Sequence, residues 1–222
     1  DIEENITFAA EDVADLKVSV SSDNPDATTI QVDADEQTDD VEVLIFEIEE
    51  RNGVDVTIED LTVTIVTGVA AEDAVVATAA IFDGSTELDS ASVPASGIVV
   101  FENMGLDIDA DDTVELTVKL TLEDTNSGAA YTGGETVQVS YTSITDAEDA
   151  NGNDEGDMGG ALSFGSANGK THQLFETGLV VEVTSATTEV TADDGAAATN
   201  PDSATFTWKL DITAFGDDDV YV

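Results

Sequence analysis

Residues 41–66 read VEVLIFEIEERNGVDVTIEDLTVTIV, and this run decides the fold class. Leu44, Phe46 and Ile48 recur at every second position, with Glu47 between the last two and Glu49 after them. After Asn52-Gly53 the alternation resumes in VTIEDLTVTIV. Side chains two apart share one face of a strand, whereas a helix would need a spacing of three to four. The run therefore predicts two half-buried strands separated by a turn.

Working outward, the same pattern returns along the chain. LKVSVSS (16–22) sets Leu16, Val18 and Val20 on one face. GIVVFEN (97–103), TVELTVKLTLED (113–124), TVQVSYTSI (136–144), LVVEVTSATTEV (179–190) and ATFTWKLDITAF (204–215) are further runs rich in Val, Ile, Thr and aromatics. Gly, Asn, Asp and Ser bound them, as strands require. Residues 68–82, GVAAEDAVVATAAIF, carry the one weak helical signal, and they read equally well as a strand. A strand is the preferred reading. Many short strands at regular spacing predict an all-β chain of antiparallel, immunoglobulin-like sandwiches, with Thr, Ser, Asp and Glu on the wet faces.

Composition narrows the function. Among 222 residues there are 5 Lys and Arg against 50 Asp and Glu, a formal net charge of −45. Binding nucleic acid needs clustered cations, and so does docking on an anionic membrane. Both are excluded as partners. A compact chain this acidic repels itself unless molar salt cuts the Debye length to about 3 Å or divalent ions bind its carboxylates. The expected setting is therefore extracellular and salty. Disorder, the usual outcome of high charge, is opposed by 41% hydrophobic residues in ordered patterns. With no Cys, no disulfide framework is available. No run reaches transmembrane length. A start at Asp1, without Met, reads as a mature exported product.

An internal repeat organises the chain. Residues 44–58, LIFEIEERNGVDVTI, align with residues 208–222, WKLDITAFGDDDVYV, so that Asp55, Val56 and Ile58 fall on Asp219, Val220 and Val222. Upstream, LKVSVSSDNPDATT resembles LVVEVTSATTEVTADDG with a one-residue gap. Two copies of one sandwich are expected, the second incomplete within this chain. Either further residues or a neighbouring chain would supply its missing strands.

Three stretches carry a resemblance: YTSITDAEDANGND, GKTHQLFETGLVVEV and ATFTWKLDITAFGDDDVYV. Together they resemble tandem β-sandwich modules of secreted cell-surface and filament proteins of ultra-small bacteria and some archaea. The resemblance covers residues 137–222 well and the first module loosely. It implies a cell-surface or filament protein of sandwich modules, most of which have no assigned activity. The extreme acidity departs from that pattern and suggests a halophilic source.

Two acidic stretches are candidate metal sites. In DAEDANGNDEGDMGG (146–160), Asp149, Asn151, Asn153, Glu155 and Asp157 alternate as oxygen donors do in calcium loops, where six to eight ligands sit at about 2.3–2.6 Å. An EF-hand would need Gly at position six and Glu at twelve, where Asp154 and Gly160 stand instead. A solvated linker is the competing reading. The alternative set is Asp107, Asp109, Asp111 and Asp112, for which a plain acidic turn competes. Calcium is the only cofactor these residues suggest. His172, the single His, lacks Cys or His companions for zinc and reads as a surface residue at a module junction. No Gly-x-Ser-x-Gly elbow or phosphate loop occurs, so no catalytic residues are assigned. Phe206, Trp208, Leu210 and Ile212 alternate and read as core.

The expected organisation is an N-terminal extended segment at 1–14, a first sandwich at 15–146, an acidic linker at 147–171 and a partial second sandwich at 172–222. The expected function is a non-enzymatic subunit of an extracellular surface filament or layer, a homopolymer assembled by strand pairing. In it Ile2, Ile6 and Phe8 would form a donor strand for residues 179–222 of another copy. A calcium-stiffened adhesin binding a glycan or another cell surface is the alternative. An accessory domain of a secreted hydrolase is the third.

Overall fold

The computed structural model describes residues 13–126, 131, 133–154, 158, 164–191 and 203–216. The chain divides into two compact units, Asp1–Phe175 and Glu176–Val222.

The first unit is a two-sheet sandwich. Its first strands are β1 (Leu16–Val20), β2 (Thr29–Gln31), β3 (Thr38–Glu50) and β4 (Val56–Thr67). A single helical turn, α1 (Glu72–Val75), leads into β5 (Val76–Asp83) and β6 (Thr86–Ser92). Then come β7 (Ile98–Phe101), β8 (Leu106–Ile108), β9 (Thr113–Leu122) and β10 (Glu135–Asp149), with β11 (Phe164–Ser166) and β12 (His172–Phe175) closing the unit. One sheet has the order β11-β1-β3-β9-β5-β6, the other β2-β12-β10-β4-β7, with β8 added beside β4.

The period-two pattern works as expected. Leu44, Phe46 and Ile48 of β3 are fully buried, as are Ile58, Leu61 and Val63 of β4. Phe46 meets Tyr141 of the opposite sheet with ring centroids 5.9 Å apart, so the two inner faces interdigitate. Asn-Gly commonly makes a tight hairpin. Here Asn52-Gly53 instead carries the chain from β3 in one sheet to β4 in the other. Residues 68–82 combine both readings weighed for them: the turn α1, then the strand β5.

Among the described residues, two strand pairs are parallel. β1 runs parallel to β11, and β2 runs parallel to β12. Gly165 makes the first possible: its φ is +111°, and a Cβ there would lie 1.9 Å from the Val18 carbonyl oxygen. The backbone near Gly169 then passes between the sheets, where a Cβ would press on the Val43 and Val139 carbonyls. Part of the stretch expected as a linker is therefore sandwich. Residues 147–149 end β10, residues 164–166 form β11, and the unit boundary lies after Phe175. His172 is likewise an inner residue. It pairs with Val137 and is fully buried, which corrects its reading as a surface residue.

The second unit consists, among the described residues, of one hairpin of β13 (Gly178–Thr191) and β14 (Ser203–Phe215). Phe206, Trp208, Leu210 and Ile212 alternate on one face, but that face is exposed, with Trp208 at 67%. Their reading as core residues does not hold here.

Candidate functional site: an acidic corner

The site grows from the end of the second sheet where β8, β4 and β10 lie side by side. Val56 pairs with Ile108 on one flank and Asp149 on the other, and Thr57 with Asp107 and Glu148. Alternation then fixes the chemistry. Val56 and Ile108 turn into the core, while Asp107, Thr57 and Glu148 form an outward row. Glu59, two residues along, shares that face. A cleft of about 440 Å³ opens here, lined by Asp55, Glu59, Asp107, Asp109, Glu148 and Asp149, with no Lys or Arg. Strand pairing thus brings both acidic stretches singled out from sequence to one corner.

Hydrogen bonds hold the corner's loops. Asp55 joins them, since its carboxylate accepts from the Ala110 N–H at 2.8 Å and its carbonyl accepts from the Ala150 N–H at 2.9 Å. Asp149 is 3% exposed. Its Oδ1 accepts from the Asn151 and Asn153 N–H groups at 2.9 Å, and its Oδ2 from the Asn153 Nδ2 at 2.9 Å and the Ala14 N–H at 3.3 Å. Burial alone pushes its carboxyl pKa up, yet these donors outweigh burial and hold it below the usual carboxylate range. In this arrangement Asp149 caps its own loop. Glu155 and Asp157 lie outside the described residues.

The alternative set is split. Asp107 accepts from the Thr57 hydroxyl at 2.7 Å. Asp109 to Asp112 form a turn closed by the Asp112 N–H on the Asp109 carbonyl at 3.0 Å, with Asp111 at φ 60°. Asp112 accepts from the Thr113 N–H at 2.8 Å. Among the described residues, no three Asp, Glu or His side chains converge as a metal cage. The corner's chemistry is a concentrated negative field around strand-fixed oxygens. It suits hydrated cations or hydroxyl-rich ligands.

Sequence reasoning missed the residue that anchors this end of the sandwich. Glu50, the last residue of β3, is 1% exposed. Its carboxylate accepts backbone N–H groups from Asn52, Gly53 and Asp111 at 2.9 Å and from Asp15 and Val54 at 3.3 Å. Burial pushes its pKa up, but the donors prevail and the net shift is down. Glu135 repeats the device at the other end, accepting from Gly68, Val69, Ala70 and Thr136, with the same balance and the same downward shift. A Glu at one end of a strand, beside a turn, was the available signal. Fifty acidic residues hid it. Ile2, Ile6 and Phe8, the expected donor strand, lie outside the described residues.

No protein-family model matches the chain, and no curated protein sequence matches it. Among solved structures it is similar to the cohesin module of a family 33 glycoside hydrolase from Clostridium perfringens ATCC13124. The identity is 12% over 74% of this chain and 98% of that one, with a TM-score of 0.33. So slight a likeness carries no argument about function.

Proposed function

We propose that this chain is a non-enzymatic structural subunit of an extracellular filament or surface layer, polymerised by strand pairing between copies in a salty medium. One observation carries the reading: β13 and β14 form a two-stranded sheet with an apolar face exposed and, among the described residues, no further strand on either edge. Isolated hairpins are marginal in water, and open edges invite added strands. The donor in this reading is the segment bearing Ile2, Ile6 and Phe8, adding to an edge of residues 179–222 in the next copy. Repetition of that head-to-tail contact yields an open polymer. The net charge of −45 keeps such a polymer dispersed in brine. The resemblance to surface and filament modules of ultra-small bacteria and archaea supports the same assignment.

Deleting residues 1–10 tests it. The truncated chain should stay as short, soluble species under salt conditions in which the full chain polymerises. Polymers of undiminished length from the truncated chain would sink strand donation.

A second reading, the calcium-stiffened adhesin, rests on the acidic corner. Calcium there would raise the melting temperature of the intact chain, and the double substitution Asp107→Asn with Glu148→Gln would abolish that rise. A calcium response equal in both proteins would remove the corner from consideration.

A further inference from the structure

The hairpin of the second unit repeats one strand pair of the first in register as well as in sequence. In the first unit Leu16, Lys17, Val18, Ser19 and Val20 pair with Glu50, Glu49, Ile48, Glu47 and Phe46. In the hairpin Leu179, Val180, Val181, Glu182 and Val183 pair with Ala214, Thr213, Ile212, Asp211 and Leu210. Leu16 to Leu179 is a step of 163 positions, and Glu50 to Ala214 one of 164. The same two steps convert every pair of one set into a pair of the other. They are the steps by which the sequences align. A slip of one residue would flip every side chain to the other face, so five matching pairs place the counterpart side chains together on one face in both units.

That face has opposite fates in the two units. Val18, Phe46 and Ile48 are at most 1% exposed, covered by the opposite sheet. Their counterparts Val181, Leu210 and Ile212 are at least 50% exposed. Past the bulge between Val183 and Ser185 the face continues through Trp208 and Phe206. It carries no charge, because Glu182, Glu189, Lys209 and Asp211 all stand on the other side. In a chain of net charge −45, an uncharged face is the surface two copies can share without repulsion.

We infer that this face packs against the same face of a second copy, forming a four-stranded sandwich about a two-fold axis. Three observations select that occupant. The first unit shows that this strand pair is built to be covered by a sheet. Of the twelve exposed large apolar residues among those described, seven lie on the hairpin, so the matching apolar sheet in a second copy is its own β13–β14. Strands of 14 and 13 residues at about 3.4 Å each, side by side, bury on the order of 1,000 Å² in total when two hairpins stack, the threshold for a specific interface. This contact uses the face of the hairpin and is independent of strand donation, which uses an edge.

Trp208, the single tryptophan, reports on the face directly. The experiment follows the intact chain in molar salt by sedimentation and Trp208 emission across concentration. At concentrations below those at which strand donation builds polymers, a dimer is expected, with emission shifting to the blue in proportion to dimer fraction. The double substitution Leu210→Glu with Ile212→Glu should weaken association by about a hundredfold or more, because two unpaired charges would enter the interface. It should leave the melting of the first unit unchanged. The chain lacking residues 1–10 should still dimerise with the blue shift, which separates this contact from strand donation. Four results would overturn the inference. They are blue emission in a monomer at every concentration, association that leaves Trp208 emission unmoved, a monomer with exposed Trp208, and loss of the dimer on removing residues 1–10.

Discussion

Replacing Glu50 should unpin one end of the sandwich, and the size of the effect follows from its contacts. Its carboxylate holds three backbone N–H groups at 2.9 Å and two at 3.3 Å, drawn from the loop before β1, the turn between the sheets and the turn at Asp111. A hydrogen bond to a charged acceptor contributes about 1.5–3 kcal/mol net, and donors left buried cost about 1–3 kcal/mol each. Asn52, Gly53 and Asp111 are exposed residues whose N–H groups can recruit water, so the sum stays below the full count. Glu50→Ala should therefore cost about 3–5 kcal/mol. Glu50→Gln, which keeps one acceptor oxygen but turns an NH2 towards N–H donors, should cost about 2–3 kcal/mol. Urea unfolding at fixed molar salt measures both. The folded pKa of Glu50 lies below the usual value of 4.5. Its contribution is thus complete above pH 4.5 and declines as the pH falls from there through the folded value. Glu50→Gln should flatten that part of the stability profile. A loss under about 1 kcal/mol for Glu50→Ala, with an unchanged denaturant slope, would refute the clamp.

The remaining expectations are simpler. With 45 uncompensated negative charges, the melting temperature should climb steeply from dilute buffer to molar salt, and a flat profile would remove the halophile argument. Gly165→Ala should cost about 2 kcal/mol or more, since φ +111° and the Val18 carbonyl leave no room, and amide exchange along β1 should accelerate; an unperturbed β1 would mean that β11 does not dock there. His172 is buried with neither ring nitrogen in hydrogen-bond geometry, the Val43 backbone offering only partial compensation. Burial holds its pKa below 6.5, so stability should fall as the pH drops from 6.5 towards the folded value, and His172→Phe should abolish that limb at little cost. An unchanged limb in the variant would assign it to other groups.

Strand identity was legible because burial has a period of two, and Leu44, Phe46 and Ile48 obey it. The repeat was legible for the same reason, since the alternation survives where identities do not. What escaped the sequence depends on long-range partners. Nothing local says that Asn52-Gly53 leaps between sheets, that residues 164–166 lie parallel to β1, or that Glu50 gathers five amides. The acidic corner was half legible. Both of its stretches stand out in the chain, but their meeting at β8, β4 and β10 is set by pairing between strands about 50 and 90 residues apart. Trp208 and His172 misled in opposite directions. Alternation tells which side chains share a face, and only the number of covering strands tells whether that face is wet.

The two parallel pairs have a consequence for tension. Among the described residues the first strand of the first unit is β1 and the last is β12, and β11 and β2 pair with them, each running in the same direction as its partner. A pull that enters before β1 and leaves after Phe175 drags parallel neighbours past one another. Their evenly spaced hydrogen bonds must then give way together. A pull across the β5–β6 hairpin would peel its bonds singly, from the open end towards the turn after Asp83. Stretched between residues 13 and 175, the sandwich should therefore rupture at a higher force than when handled by Val76 and Ser92. In a strand of such units, load would pass from copy to copy along their stiffest direction.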